Sequence, residues 1–310
     1  MATFVHPMLS QRFTLAARTL VGRAEHCTFE LKNRLVSGEH ALVTWSEDAG
    51  WRVRDLGSRN GTFVNGQAVK PGERVQLTSG CELTFADERW RLSDDLPPVA
   101  IARDLDAEHL RLADGDLLLL PDDEEPQVMI FADRTSGGWV AEIEGDPRPV
   151  RDQETITVGE QRWELGLPPL EKQAGMLSTL GMEELSLSLS TVDRLRFVVD
   201  EGDEQEVGLT VVYRQQPIEV PARSHHILLL ELARAIDADA GLPRSERGWR
   251  YVDAVCRALD VDAATLNTLI FRARKQFSSL GIGGSAQLIE RRANTRQMRL
   301  GIDRVEFEPG

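Results

Sequence analysis

Residues 55–66 read Asp-Leu-Gly-Ser-Arg-Asn-Gly-Thr-Phe-Val-Asn-Gly, and this run constrains the chain more than any other stretch. Its two Asn-Gly pairs are turn formers, since both residue types tolerate the backbone angles that join neighbouring strands tightly. Upstream stand Gly22-Arg23 and then Ser37-Gly38-Glu39-His40. A guanidinium (Arg23), a hydroxyl (Ser37) and an amide (Asn60) are the donor types that satisfy a phosphate and an extended peptide backbone.

Around these motifs residues 10–95 read as all-β. Short alternating runs such as Ala41-Leu42-Val43-Thr44-Trp45, Trp51-Arg52-Val53-Arg54 and Glu82-Leu83-Thr84-Phe85 are separated by Gly, Asn and Asp clusters. Many short strands at this spacing predict a two-sheet sandwich.

The order Gly-Arg, Ser-x-x-His, Ser-Arg-Asn-Gly-Thr-Phe-x-Asn-Gly resembles the forkhead-associated (FHA) domain, a β-sandwich whose members bind phosphothreonine peptides. The resemblance implies that Arg23 and Ser37 bond the phosphate. It also implies that Asn60 holds the peptide backbone, and that Arg59 helps read the side chain after the phosphothreonine. His40 would brace the loop and Gly61 permit its tight turn, with Gly22 supporting Arg23. Gly38 departs from the family, which usually has Arg, Asn or Ser there, so one side-chain contact is missing.

Leu-Pro-Pro at 96–98 and again at 167–169 marks boundaries. Between them Gln161-Arg162-Trp163-Glu164-Leu165 echoes Glu88-Arg89-Trp90-Arg91-Leu92. Residues 97–170 are expected to form a small β-rich domain, either a spacer or a degenerate FHA-like half. A small-residue linker over 171–193 follows, with one strand from Leu185 to Ser190.

From Arg194 the pattern sharpens. A hairpin of Leu195–Val199 and Val207–Tyr213 precedes a strand at 216–220 and three helices. The first spans about Ser224 to Ala238 with Ser224 as its cap, the second about Gly248 to Leu259. The third starts after Asp262 and runs to about Leu280. A basic hairpin at 287–301 ends the pattern. Strands, three helices and a hairpin in that order describe a winged helix, and resemble the output domain of response regulators. Ile270-Phe271-Arg272-Ala273-Arg274-Lys275-Gln276-Phe277 and Leu288-Ile289-Glu290-Arg291-Arg292 carry the resemblance. Ala273 and Gln276 depart from it, and the wing lacks the usual Gly-x-Gly-Tyr.

Net charge is −14, which by itself opposes nucleic-acid binding. The distribution is uneven: residues 206–310 hold 15 Arg/Lys and 13 Asp/Glu, and the rest hold 21 and 37. A basic C-terminal region keeps duplex DNA among the expected partners. On the third helix Leu266, Leu269, Ile270, Ala273, Phe277 and Leu280 share the core face. Thr268, Phe271, Arg272, Lys275 and Ser279 fall opposite. Thr268, Arg272 and Lys275, with Arg291, Arg292, Arg296 and Arg299 of the hairpin, form the candidate DNA-binding set. A protein-binding use of the same surface is the alternative.

No apolar run is long enough to span a bilayer, and the first residues do not read as a signal peptide. Cys27, Cys81 and Cys256 are far apart and odd in number, which reads as thiols in a reducing cytoplasm. His225-His226 lacks partners at metal-ligand spacing, and no phosphate-binding glycine loop, nucleophile elbow or kinase signature occurs. Hence no enzyme, cofactor or metal is expected. The fold expectation is multidomain: a β-rich N-terminal part, with an FHA domain over 1–96 and the middle segment, then an α+β winged-helix domain over 194–310. The functional expectation is a transcription regulator downstream of a Ser/Thr kinase, whose partner is the kinase or its phosphorylated substrate. The alternative is a phospho-dependent adaptor. Phosphopeptide binding in trans would make it a homodimer.

Overall fold

The computed structural model describes residues 1–107, 109–133, 137–170, 187–200, 203–292 and 294–309. They divide into two compact units. One comprises Met1–Leu110, Asp152–Ile156 and Trp163–Pro169; the other comprises Arg111–Arg151, Thr157–Arg162 and Leu170–Gly310. The 97–170 segment, expected to stand alone, is therefore divided between them.

The first unit is built on two sheets. One has six strands in the order Arg12–Thr14, Thr3–Val5, Glu88–Leu92, Glu82–Phe85, Thr62–Val64 and Gln67–Ala68. The other has five: Phe29–Glu30, Arg18–Gly22, Ala41–Ser46, Gly50–Asp55 and Arg74–Gln76. Strict alternation along Gly50–Asp55 turns Trp51, Val53 and Asp55 inward. Trp51, Val53, Phe4, Leu83, Phe85 and Leu92 fill the core between the sheets.

The chain then adds a further strand pair to this unit. Trp51 Nε1 donates to the Leu96 carbonyl at 3.0 Å, which fixes the exit from the sandwich. Ile101–Asp104 pairs antiparallel with the strand containing Trp163–Gly166. A side chain on Gly166 would lie 2.7 Å from Ile101 Cγ1 and 2.9 Å from Ala16 Cβ, so only glycine allows this approach. Both echoing tryptophans, Trp90 and Trp163, are buried on strands.

In the second unit Leu117–Leu120, Val128–Asp133, Gly138–Ile143 and Asp146–Val150 form an antiparallel meander. A second sheet joins Gln216–Val220, Asp203–Tyr213, Arg194–Asp200 and Val305–Pro309, the last pair parallel. The expected hairpin is present, with longer strands; the tip of its acidic turn lies outside the described residues. Where a strand was expected over Leu185–Ser190, the described part forms a short 3-10 turn, Leu189–Thr191, with Leu189 buried.

Three helices follow: α1 (His226–Ala238), α2 (Val252–Leu259) and α3 (Ala263–Ser279). Ser224 does not cap α1. His225 occupies the cap position without a side-chain bond to the helix. Its ring Nε2 instead meets Gln276 Oε1 at 2.6 Å, and His226 Nε2 meets the same oxygen at 2.9 Å. Gln276 Nε2 donates to the Pro221 carbonyl at 2.7 Å, which fixes that amide's orientation. Burial, countered by the Gln276 bond and reinforced by His226, Arg272 and Arg223, lowers His225 to about 4. The histidine pair is thus a packing feature between α1 and α3. Helix α2 starts later than expected because Arg250–Tyr251 pairs with the Gln297–Leu300 strand, itself paired with Ile289–Arg292.

Asp262 caps α3 by accepting from Thr265 N at 2.7 Å. Leu266, Ile270, Ala273 and Phe277 are buried as expected. Phe271, expected on the solvent side, is also buried, in one core with Leu117, Leu119, Met129 and Phe131 of the meander. Residues 111–151 therefore meet α3 at Phe271, Arg274, Lys275 and Ser278, while Arg272 and Ser279 stay exposed. That stretch holds ten Asp/Glu against four Arg/Lys, which suits it to a basic helix.

The covering contact centres on Glu142. Its Oε2 accepts from Arg274 Nη1 at 3.1 Å and Nη2 at 3.2 Å, and its Oε1 lies 3.1 Å from Arg291 Nε. The Glu142 and Arg274 side chains are each 1% exposed and that of Arg291 5%. Arg274 Nη2 also donates to the Ile289 carbonyl, and Arg291 to the Gly145 carbonyl and Asn267 Oδ1. A carboxylate this deep, removed from between two guanidiniums, leaves uncompensated buried charge. Glu142→Gln is expected to destabilise the second unit by about 3–5 kcal/mol. Urea denaturation followed by tryptophan fluorescence checks this, and an unchanged midpoint would show that the cluster contributes nothing.

Candidate functional site

The site motifs converge on loops at one end of the sandwich. Arg23 follows directly on the strand Arg18–Gly22, and Ser37–His40 precedes Ala41–Ser46. Residues 56–61 link Gly50–Asp55 to Thr62–Val64. Arg23 N donates to the Ser37 carbonyl at 2.9 Å and Ala24 N to the Gly38 carbonyl at 3.0 Å, so the first two loops are tied by backbone. Arg59 N donates to Ser37 Oγ at 3.1 Å, and Asn60 Nδ2 donates to the Leu35 carbonyl at 2.7 Å, tying in the third. Arg23, Arg59 and Asn60 are exposed and Ser37 is half-buried. The structure brings together Arg23, Ser37, Gly38, Arg59 and Asn60.

His40 sits beneath them, fully buried. Its Nδ1 accepts from Ser37 N at 3.1 Å, so the neutral ring carries its proton on Nε2, which donates to the Gly61 carbonyl at 3.1 Å. Burial lowers its pKa, against the Gly61 bond and the Asp55 charge, which raise it. One ring thus spans two loops. Gly61 has φ +81°, where a side chain would be strained. Gly22 has no room for a Cβ, which would overlap the Gly38 carbonyl. Gly38 differs: a Cβ there meets nothing within 4 Å, so its lack of a side chain is not a steric requirement.

Sequence reading missed Asp55. This carboxylate is 3% exposed and accepts four hydrogen bonds. Gly57 N (2.7 Å), Ser58 N (2.9 Å) and Ser58 Oγ (2.6 Å) come from the loop, and Thr62 Oγ1 (2.7 Å) from the next strand. Burial alone would raise its pKa; the bonds from Ser58, Thr62 and Gly57 outweigh it and hold the carboxyl below its ordinary value. The available signal was Asp-x-Gly-Ser, an Asp followed at two and three residues by amides it can accept from.

The candidate DNA set is dispersed by contrast. Arg291 is buried on Glu142, and Lys275 pairs with Asp123 at 3.2 Å. Thr268 Oγ1 turns back to the Ala264 carbonyl. Arg292 and Arg299 both lie against the Trp249 ring, 4.1 and 4.6 Å from its centroid, and Arg299 also pairs with Glu290 at 2.7 Å. Arg296 forms an exposed pair with Asp253, the kind of contact worth little. Arg272 is exposed. Among the described residues no group of three His, Cys, Asp or Glu side chains could hold a metal. No helix there is long and apolar enough to cross a membrane.

Asp55→Asn is expected to cost about 2 kcal/mol or more, since each charge-assisted bond contributes ~1.5–3 kcal/mol. A carboxyl whose folded pKa is depressed stabilises above its unfolded value of about 3.9, and the benefit is lost as pH falls through the folded one. Thermal melts between pH 7 and 2.5 should show the wild-type first unit losing stability at the acid end and the Asn variant with a shallower acid limb. Superimposable melts would remove Asp55 as the anchor of the loop.

Residues 19–86 match the family model for the FHA domain. The chain is 36% identical over 74 residues to protein phosphatase 2C 70 of Arabidopsis thaliana, a match covering 21% of this chain and 13% of that protein. Among solved structures it is similar to Mycobacterium tuberculosis EmbR in complex with a low-affinity phosphopeptide: 22% identity, 31% of this chain, 25% of that one, TM-score 0.28. It is also similar to the N-terminal FHA domain of S. cerevisiae Rad53p in complex with a phosphothreonine peptide: 20% identity, 29% and 90% coverage, TM-score 0.26. The chain thus spans 13% of the curated relative's length and a quarter of EmbR's. With its three motifs tied into one loop cluster, the N-terminal part of this chain is a forkhead-associated domain.

Proposed function

We propose that this chain is a phosphothreonine-peptide-binding signalling protein that acts downstream of a Ser/Thr kinase, as an adaptor. The observation that carries the reading is the loop cluster: hydrogen bonds from Arg23 N to the Ser37 carbonyl, Arg59 N to Ser37 Oγ and Asn60 Nδ2 to the Leu35 carbonyl tie the three loops bearing these donors together. A phosphate dianion suits a guanidinium and a hydroxyl side by side, and an amide suits the backbone of an extended peptide. The partner is the kinase or a phosphorylated substrate.

For the second unit we favour a winged-helix module engaged in protein contact. Helix α3 already receives a protein surface, the acidic meander, and Arg274 and Arg291 are consumed in that contact. Transcription regulation through duplex DNA is the second reading. Exposed Arg272 and Arg296 favour it, together with the arginine-rich hairpin.

A peptide array of phosphorylated and unphosphorylated pairs tests the first reading. The expected outcome is retention of phosphothreonine peptides, with phosphoserine twins bound several-fold worse. Arg23→Ala should abolish retention, because loss of a charge-assisted contact to an unpaired dianion costs roughly 2–5 kcal/mol. Unaltered retention by that variant would place the pocket elsewhere. For the second unit, a gel shift with full chain and mixed duplex DNA across a salt series should show no salt-sensitive complex. A slope of several units per decade of salt, each phosphate contact contributing about 0.9, would restore the DNA reading.

A further inference from the structure

Ser37 is held by bonds from Arg23 and Arg59 and to His40, and the Gly38 peptide that follows it is held at its carbonyl. Three groups converge on the Gly38 carbonyl. Ala24 N donates to it at 3.0 Å, and Cys27 Sγ donates to it at 3.1 Å. Gly22 leaves it room, since a Cβ there would overlap this oxygen and lie 2.8 Å from Cys27 Sγ. Cys27 itself is fixed, with its N–H on the Ala24 carbonyl at 2.9 Å.

We infer that Cys27 is a positioning residue of the phosphate site, holding the Gly38 peptide through its thiol hydrogen bond so that Ser37 stays aligned with Arg23. The inference rests on the phosphopeptide reading above. Position 38 has no side chain to add a contact of its own, so the Gly38 peptide is held at its carbonyl by the Ala24 amide and the Cys27 thiol. A Cβ at position 38 would meet nothing within 4 Å, so no packing against that side of Gly38 supplements the bonds to its carbonyl. Burial of the Cys27 thiol, with Glu39 and Glu30 nearby, raises its pKa and keeps it protonated as a donor. The residue is 6% exposed, and its side-chain bond goes to the loop backbone.

The probe is the phosphothreonine peptide that the full wild-type chain retains most strongly from a degenerate array, titrated calorimetrically. Cys27→Ala and Cys27→Val both remove the donor, and Val keeps the volume. Each is expected to weaken binding about two- to tenfold, the range that one neutral hydrogen bond allows. Cys27→Ser restores a donor and should bind within about twofold of wild type on the same scale. Melting temperature is followed in parallel, since a merely structural role would make affinity track stability across all three variants. Wild-type affinity in Cys27→Val, or a Cys27→Ser variant as weak as Cys27→Ala, overturns the inference. Failure of the reading beneath it looks different: the wild-type chain would then retain no phosphothreonine peptide over its unphosphorylated twin.

Discussion

The loop that bears Arg59 and Asn60 depends on one buried carboxylate. Asp55 is the last inward-facing residue of its strand, where the alternation would otherwise place an apolar side chain. Burying an ionised carboxyl is unfavourable unless its oxygens are satisfied. Here the loop itself supplies the donors: two backbone amides, one serine hydroxyl and the threonine of the next strand. The requirement runs both ways. Asp55 needs the loop folded back over it, and the loop, rich in Gly and Ser, has few apolar side chains to hold its shape otherwise. Gly61 and the His40 ring then carry that order across to Ser37.

The second unit applies the same constraint with opposite sign. Arg274 and Arg291 could not be buried without a carboxylate between them, and Glu142 reaches them from a strand of the meander. A buried ion pair is not in itself a source of stability, because desolvation offsets much of the attraction. What it does is exclude alternatives: a meander shifted by one residue would turn Glu142 outward and leave two guanidiniums unpaired. The neighbouring apolar contacts of Phe271 with Leu117, Leu119 and Phe131 supply the favourable burial. Counting charges along the chain therefore misjudges this region. Two of the cations in residues 206–310, Arg274 and Arg291, are drawn inward by an acidic segment placed before them in sequence, while Arg272 and Arg296 stay exposed.

Much of this was legible in the residues and some was not. The loop cluster was legible because its parts are short motifs whose turn chemistry is local: Asn-Gly for the loop, Ser-x-x-His for the His40 bridge. The Asp262 cap and the buried face of α3 were legible for the same reason. Ser224 misled because its cap-forming chemistry is common, while the actual cap region is dictated by Gln276, 51 residues away from His225. Arg274 sits 132 residues from Glu142, and no local pattern announces such a pair. The division of 97–170 was hidden likewise, since pairing between Ile101–Asp104 and Trp163–Gly166 is a long-range choice. The FHA match of residues 19–86 was carried by loops, and loops hold function more often than they reveal how distant strands pair.

On the phosphopeptide reading proposed above, the loop cluster is arranged so that binding would break none of the hydrogen bonds that shape it. Ser37 Oγ accepts from Arg59 N, which leaves its own O–H free to point at a phosphate. Arg23 uses Nε on the Val36 carbonyl at 3.3 Å, and both of its Nη groups remain for a dianion. Asn60 donates one amide hydrogen to the Leu35 carbonyl and keeps the other, with its carbonyl oxygen, for a peptide backbone. Each side chain is thus oriented by one internal bond and presents its remaining valences outward. Ordering side chains on binding costs about 0.5–1.5 kcal/mol apiece, and one internal bond on each of these side chains would lower that cost. The buried groups beneath, Asp55 and His40, support this arrangement because they hold loop backbone and make no bond to Arg23 or Asn60 side chains.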